Sequence, residues 1–224
     1  VTPIAPRPLA GSAWAGRRVG LLGGSFNPAH DGHRHISRFA LKTLGLDQVW
    51  WLVSPQNPLK PVAGMAPLDR RLAYARSRTG HPRIIATDIE RQLGTRYTAD
   101  TLRQLQRRFP RTRFVWLMGA DILPQMPRWR RWPEILHRVP VAVFNRPPYS
   151  LGALSSPPAR RFRRWRVAEA AARGLAARAA PAWLFLASPL HEASATAIRS
   201  ANIHRPATPG RADSFGPEVT PSPP

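Results

Sequence analysis

Three histidines, two serines, an asparagine and three glycines crowd the fifteen-residue stretch GGSFNPAHDGHRHIS (23–37), directly after the apolar run Val19-Gly20-Leu21-Leu22. His30 and His33 are spaced H-x-x-H around Asp31-Gly32, and His35 follows. Three chemistries suit such a pair. Histidines can cap or decorate a helix start. They can bind a metal, although no third ligand of suitable spacing accompanies them. Two imidazoles at a helix start, beside backbone donors, can also stabilise charge growing on a transferring phosphoryl group. Gly23 and Gly24 permit close backbone approach, while a following helix offers unsatisfied N–H groups and a positive dipole end. An anion is the expected guest. Neither the dinucleotide fingerprint G-x-G-x-x-G nor the P-loop pattern G-x-x-x-x-G-K-[ST] occurs in the stretch, so its chemistry is that of neither motif.

The elements that must position these residues are legible as short apolar runs: Val19 to Leu22, Val49 to Val53, Arg83 to Thr87, Phe114 to Met118, Val139 to Phe144 and Trp183 to Ala187. Helix-compatible stretches lie between them. These are His33 to Leu44, Leu68 to Arg78, Thr98 to Phe109 with Thr98 as N-cap, and about Val167 to Arg178. The alternation predicts an α/β fold, a parallel sheet covered by helices on both faces. Ligands of such sheets bind outside the carboxyl ends of the strands, near the switch in strand order. The histidine stretch sits at the end of the first strand, entering the first helix.

At 224 residues the chain suits one domain. The absence of cysteine excludes disulfides, thiolate nucleophiles and cysteine-rich zinc sites, and accords with a cytoplasmic setting. No apolar run is long enough to cross a bilayer, so no membrane partner is expected. Residues 1–18, rich in Pro, Gly and Ala, read as a flexible extension. The formal charge of +22 raises nucleic acid as a partner. Against that, only Lys42 and Lys60 are lysines, and the arginine excess accompanies abundant Ala and Pro. That pattern suits a compositional bias, and no dedicated nucleic-acid partner is expected.

The motif GGSFNPAHDGH resembles the G-G-[ST]-F-[DN]-P-x-H-x-G-H signature of the H-x-G-H nucleotidyltransferases, which have a Rossmann-like fold. Four further segments are similar to those of nicotinate-nucleotide adenylyltransferases: SPQNPLK (54–60), TDIERQLGTRYTADTL (87–102), LMGADILPQMPRWRRWPEI (117–135) and ASATAIRS (193–200). Five ordered matches span roughly residues 19 to 200. The resemblance implies adenylyl transfer from ATP, with Mg²⁺, to nicotinate mononucleotide, giving nicotinate adenine dinucleotide and pyrophosphate. Carried over by position, it makes His30 and His33 contacts to the ATP phosphates, His33 stabilising the α-phosphate. Gly24, Ser25 and Phe26 would supply backbone contacts to the two nucleotides, and Lys60 a phosphate contact. Asp121 would accept from the adenosine ribose, its alternative role being a helix N-cap. Ser194, Thr196 and Arg199 would receive the β- and γ-phosphates. Trp129 would stack on nicotinate, whose carboxylate would meet N–H groups near Thr98 and Arg130; Trp132 reads as core.

After Arg199 the match ends. The family continues there with a helix and a closing segment, whereas residues 201–224 are rich in Pro and Gly, lack apolar periodicity and read as a disordered tail. Two rival readings remain. One is a transferase of the same fold acting on nicotinamide mononucleotide, phosphopantetheine or a CTP-dependent substrate. The other is RNA binding through ARRFRRWR (159–166), whose arginines interleave with Phe162 and Trp165; its bland alternative buries both aromatics.

Overall fold

The computed structural model describes residues 11–56, 63–146 and 150–187. Six strands form one parallel sheet: β1 (Arg18–Gly24), β2 (Gln48–Val53), β3 (Ile84–Thr87), β4 (Arg113–Gly119), β5 (Val141–Phe144) and β6 (Trp183–Leu186). Their order is β3-β2-β1-β4-β5-β6, with every pair parallel. The order reverses between β1 and β4, as in doubly wound nucleotide-binding folds, and the crevice at that reversal is where such sheets take ligands. Continuous apolar runs form these strands because both faces of the sheet are covered.

The two faces carry separate cores. On one, Leu21, Trp50, Trp116 and Val143 pack with Leu102 and Leu105 of α4 (Thr98–Arg108) and Ile135 of α5 (Trp132–Arg138). On the other, Leu22, Trp51, Val115 and Leu184 meet Ala40, Leu41 and Leu44 at α1 (Asp31–Thr43), and Leu72 and Ala75 of α2 (Leu68–Arg78). Alternate strand residues thus serve opposite helical layers. A single turn, α3 (Ile89–Gln92), follows β3, and two short helices, α6 (Ser150–Leu154) and α7 (Pro157–Arg161), precede β6.

Several expectations need correction. Of the extension expected over 1–18, Gly11–Trp14 form a 3₁₀ turn and β1 begins at Arg18, while residues 1–10 lie outside the described residues. The cause is Trp14, which is buried and meets Trp50 edge to face at 4.9 Å. Helix α4 has Tyr97, in extended backbone, as its N-cap, with Thr98 the first helical residue. The stretch expected as a helix near 167–178 is a 3₁₀ helix, Glu169–Ala177, whose buried Ala172 and Leu175 are one three-residue turn apart. Pro124 and Pro127 lie within another 3₁₀ stretch, Ala120–Arg128, where each ring deletes a donor an α-helix would use. The aromatics of 159–166 do not form a binding platform. Phe162 is 1% exposed, and Trp165 packs on the core with the Arg164 guanidinium 4.0 Å from its ring. Residues 201–224 lie outside the described residues.

Candidate active site

Strand β1 ends in Gly23-Gly24, beside the end of β4 at Gly119, because the register pairs Leu22 with Leu117 and both strands run two residues further. Gly23 has a packing reason: a Cβ there would meet Trp116 Cη2 at 2.6 Å. The chain then turns through Phe26, which has a positive φ of 47°. Such a backbone is costly for an aromatic residue and persists only when its surroundings fix it. Here the Phe26 ring is 1% exposed, stacked on Trp51 at 5.2 Å and 4.6 Å from the His33 ring. Asn27 ties the loop to the segment before α2, donating to the Gly64 carbonyl at 2.9 Å and accepting from the Ala66 N–H at 3.2 Å.

His30 is the N-cap of α1, in extended backbone. Its N–H donates to Nδ1 of His33 at 3.2 Å, its carbonyl accepts the His33 N–H at 3.0 Å, and the two rings lie 3.8 Å apart. A neutral imidazole that accepts at Nδ1 carries its proton on Nε2, which sets the tautomer of His33. Ser37 fixes the same turn by donating to the His33 carbonyl at 2.7 Å while accepting from Trp51 Nε1 at 2.7 Å. Local sequence thus builds a helix start whose amides and dipole end favour an anion.

Across the crevice, Asp121 follows Gly119-Ala120. Gly119, not Asp121, is the N-cap of the 3₁₀ stretch. A Cβ on Gly119 would collide with Asp121 Oδ1. Oδ2 of Asp121 accepts from Arg146 at 3.1 Å, and Oδ1 is buried with no hydrogen-bond partner among the described residues. A buried carboxylate oxygen with a spare lone pair is an acceptor held ready for a hydroxyl. The third group of expected residues lies where the start of α4 meets 129–131. Trp129 is half-buried against the core, and the Arg130 guanidinium lies 4.9 Å from the Tyr97 ring, next to Thr98. Arg131, with φ 52°, forms an ion pair with Asp100. Trp132 is half-buried against the same core, as expected.

Beneath this region Glu90 is 7% exposed, and burial pushes its carboxyl up to about 7 despite the Thr101 hydroxyl donating to it at 3.0 Å. At its neighbour Asp88 burial acts in the same direction, but hydrogen bonds from Gln92 and Arg91 outweigh it and hold that carboxyl below its ordinary value. Lys60, Ser194, Thr196 and Arg199 lie outside the described residues. Among the described residues no three His, Cys, Asp or Glu side chains group to hold a metal ion, and no helix is long and apolar enough to cross a membrane.

Sequence reasoning missed Arg71. It is 1% exposed on α2 and donates to four main-chain carbonyls, those of Ser25, Ser54, Pro55 and Ala66. The available signal was an arginine on the helix face that also carries Leu72 and Ala75.

The profile of the cytidylyltransferase-like family matches residues 21–201. A probable nicotinate-nucleotide adenylyltransferase of Parvibaculum lavamentivorans is 56% identical over 184 residues, covering 82% of this chain and 92% of the relative. Another, from Cereibacter sphaeroides, is 55% identical over 195 residues, covering 87% and 99%. The chain belongs to the nicotinate-nucleotide adenylyltransferase family. A solved structure described as Plasmodium falciparum nicotinic acid mononucleotide adenylyltransferase complexed with NaAD is similar in fold, with a TM-score of 0.57 at 12% identity, covering 82% of this chain and 83% of that one. The family match over residues 21–201 spans all five of those segments, and the sheet brings the first and fourth of them to one crevice.

Proposed function

We propose that the chain transfers the adenylyl group of ATP to the 5′-phosphate of nicotinate mononucleotide. An oxygen of that phosphate forms a bond to the α-phosphorus of ATP. The bond from that phosphorus to the oxygen bridging to the β-phosphate breaks, and pyrophosphate leaves with the electron pair. The observation that carries this reading is the reciprocal pairing of His30 and His33 at the start of α1, a helix N-terminus set beside the reversal in strand order.

The attacking group needs little chemical help. A phosphate monoester, with a second pKa of about 6, is largely dianionic at neutral pH and needs no general base. Alignment and charge neutralisation remain, and these are supplied by fixed donors. His33 Nε2–H meets the charge growing at the α-phosphate, with His30 beside it and the amides of Gly24, Ser25 and Phe26 lining the approach. Asp121 Oδ1 accepts from the adenosine ribose. Trp129 stacks on the nicotinate ring, and its carboxylate meets N–H groups at Thr98 and Arg130, where the start of α4 favours negative charge. Lys60, Ser194, Thr196 and Arg199 complete the phosphate contacts by resemblance.

Mg²⁺ requires oxygen ligands and usually arrives on nucleotide phosphates, supplying charge neutralisation there. The described donor set suits that arrangement, with a single ready carboxylate oxygen at Asp121.

The test is steady-state turnover with ATP and either nicotinate or nicotinamide mononucleotide. A kcat/KM favouring the acid by about a hundredfold or more is the expected result; equal values, or preference for the amide, would reassign the substrate.

A further inference from the structure

Arg71 is the most completely buried cation among the described residues, and its hydrogen bonds go to main-chain carbonyls rather than to a carboxylate. Nη1 donates to the carbonyls of Ser25 at 2.6 Å and Ser54 at 2.8 Å, Nη2 to Pro55 at 2.9 Å, and Nε to Ala66 at 2.7 Å. Desolvation pushes its pKa down, a sign of how much water the guanidinium has lost. Burying a cation is costly unless its donors are all used, and a planar fork of five N–H groups is the side chain suited to using them.

The four carbonyls belong to three separate pieces of backbone. Ser25 opens the loop between β1 and α1. Ser54 and Pro55 follow β2. Ala66 precedes α2. Asn27 joins the first and third pieces independently, through Gly64 and Ala66. The main chain also links the first and second, since the Ser54 N–H donates to the Gly24 carbonyl at 2.9 Å. One side chain of α2 therefore ties together the loop after β1, the loop after β2 and the segment before α2.

We propose that Arg71 is a positioning residue for adenylyl transfer, fixing the loop after β1 relative to those flanking β2 and α2 through carbonyl contacts alone. This rests on the functional reading above for its catalytic consequence, but the positioning itself does not. Since Ser25 is pulled toward Arg71 by its carbonyl, its peptide plane is held, and with it the N–H of Phe26 that faces away from that carbonyl along the same plane. The pull also helps to hold Phe26 in its positive-φ conformation, which sets where His30 enters α1. A misplacement of about 1 Å in such a frame is enough to cost a hundredfold in rate. Arginine is required because a lysine ammonium, a compact point charge, cannot span three backbone segments in one plane.

The test compares wild type with Arg71→Lys, which keeps the charge and loses the fork, Arg71→Met, which loses both, and Arg71→Ala, which leaves space for an added guanidinium. Amide hydrogen exchange is followed at residues 24–30 and 64–67 against β4 and β5, at a temperature where circular dichroism shows each protein folded. Positioning predicts exchange about tenfold or more faster in those two segments with smaller change in the strands. It also predicts a kcat lowered about tenfold or more, KM for both substrates within about threefold, and partial recovery of kcat in Arg71→Ala by millimolar methylguanidine. Uniform acceleration of exchange, with activity falling only as the folded fraction falls, would overturn it. If Arg71→Met does not fold, Arg71→Lys carries the comparison. Wild type inactive with both mononucleotides would remove the functional reading, while the exchange pattern would still decide whether Arg71 fixes the loops.

Discussion

Around His30 and His33 the backbone does the holding: a helix start, the His30 N–H on the His33 ring and the His33 N–H on the His30 carbonyl, and carbonyls gathered by Asn27 and Arg71. At the other end of the crevice, where α4 meets residues 129–134, side chains hold side chains. Arg131 pairs with Asp100, Arg103 pairs with Glu134 at 3.1 Å, and Arg130 covers Tyr97. The first region is mostly buried and the second mostly half-buried, with Arg130 and Arg131 exposed. Under the proposed reading, the contrast separates two kinds of selectivity. A phosphate is the same in every substrate, so its cradle can be rigid main chain. A base must be told from similar bases, and exchangeable side chains around a half-buried tryptophan suit that task.

Breaking the first region should have the largest effect. His33→Ala is expected to lower kcat about a hundredfold or more with the fold retained, in line with loss of a transition-state donor; stopped-time assays on folded variant check this, and near-normal turnover would remove His33 from the mechanism. Gly119→Ala, which drives a methyl group into the Asp121 carboxylate, should raise KM for ATP by about tenfold with a smaller loss of kcat, if Asp121 accepts from the ribose. In the second region, Trp129→Ala should weaken nicotinate mononucleotide binding by about tenfold and leave ATP affinity within twofold, consistent with a stacking contact. Selective loss of ATP affinity in titration calorimetry would exchange the two pockets. Asp100→Asn, at an exposed ion pair, should change either KM by less than about threefold.

A last effect, on stability rather than turnover, sharpens the comparison through pH. Glu90 titrates near 7 when folded, above its ordinary value of 4.5. Between those values the folded state holds a proton that the unfolded state has released. Its contribution therefore favours the fold fully below about 4.5, declines as pH rises toward 7, and is then lost, a total of about 3 kcal/mol at most. Glu90→Gln should flatten that part of the stability profile and raise the melting temperature at pH 8 relative to wild type. Parallel profiles for the two proteins would mean that Glu90 is ionised in the fold throughout.

All six strands were legible because strands buried on both faces are written as uninterrupted apolar runs, and α2 was legible from Leu68 to Arg78 because its buried residues recur at helical spacing. The 3₁₀ stretches were not, since prolines at 124 and 127 and a three-residue repeat at 172 and 175 match neither period. Trp14 was hidden in a Pro- and Gly-rich segment whose composition reads as loose, although a single large aromatic was enough to anchor it. At the site, the H-x-x-H pair and its helix start were legible from residue type and spacing. Arg71 was not, because in an arginine-rich chain one more arginine carries no compositional signal, and its role exists only where three loops converge. Tyr97 as cap of α4 was missed because threonine is the better capping side chain and the backbone alone chose its neighbour.

The most direct test of adenylyl transfer is the product stoichiometry of the full chain with ATP, Mg²⁺ and nicotinate mononucleotide. Equal amounts of pyrophosphate and nicotinate adenine dinucleotide, the latter identified by mass and both absent without the mononucleotide, are the predicted result. Release of inorganic phosphate, or of pyrophosphate with no dinucleotide formed, would contradict it.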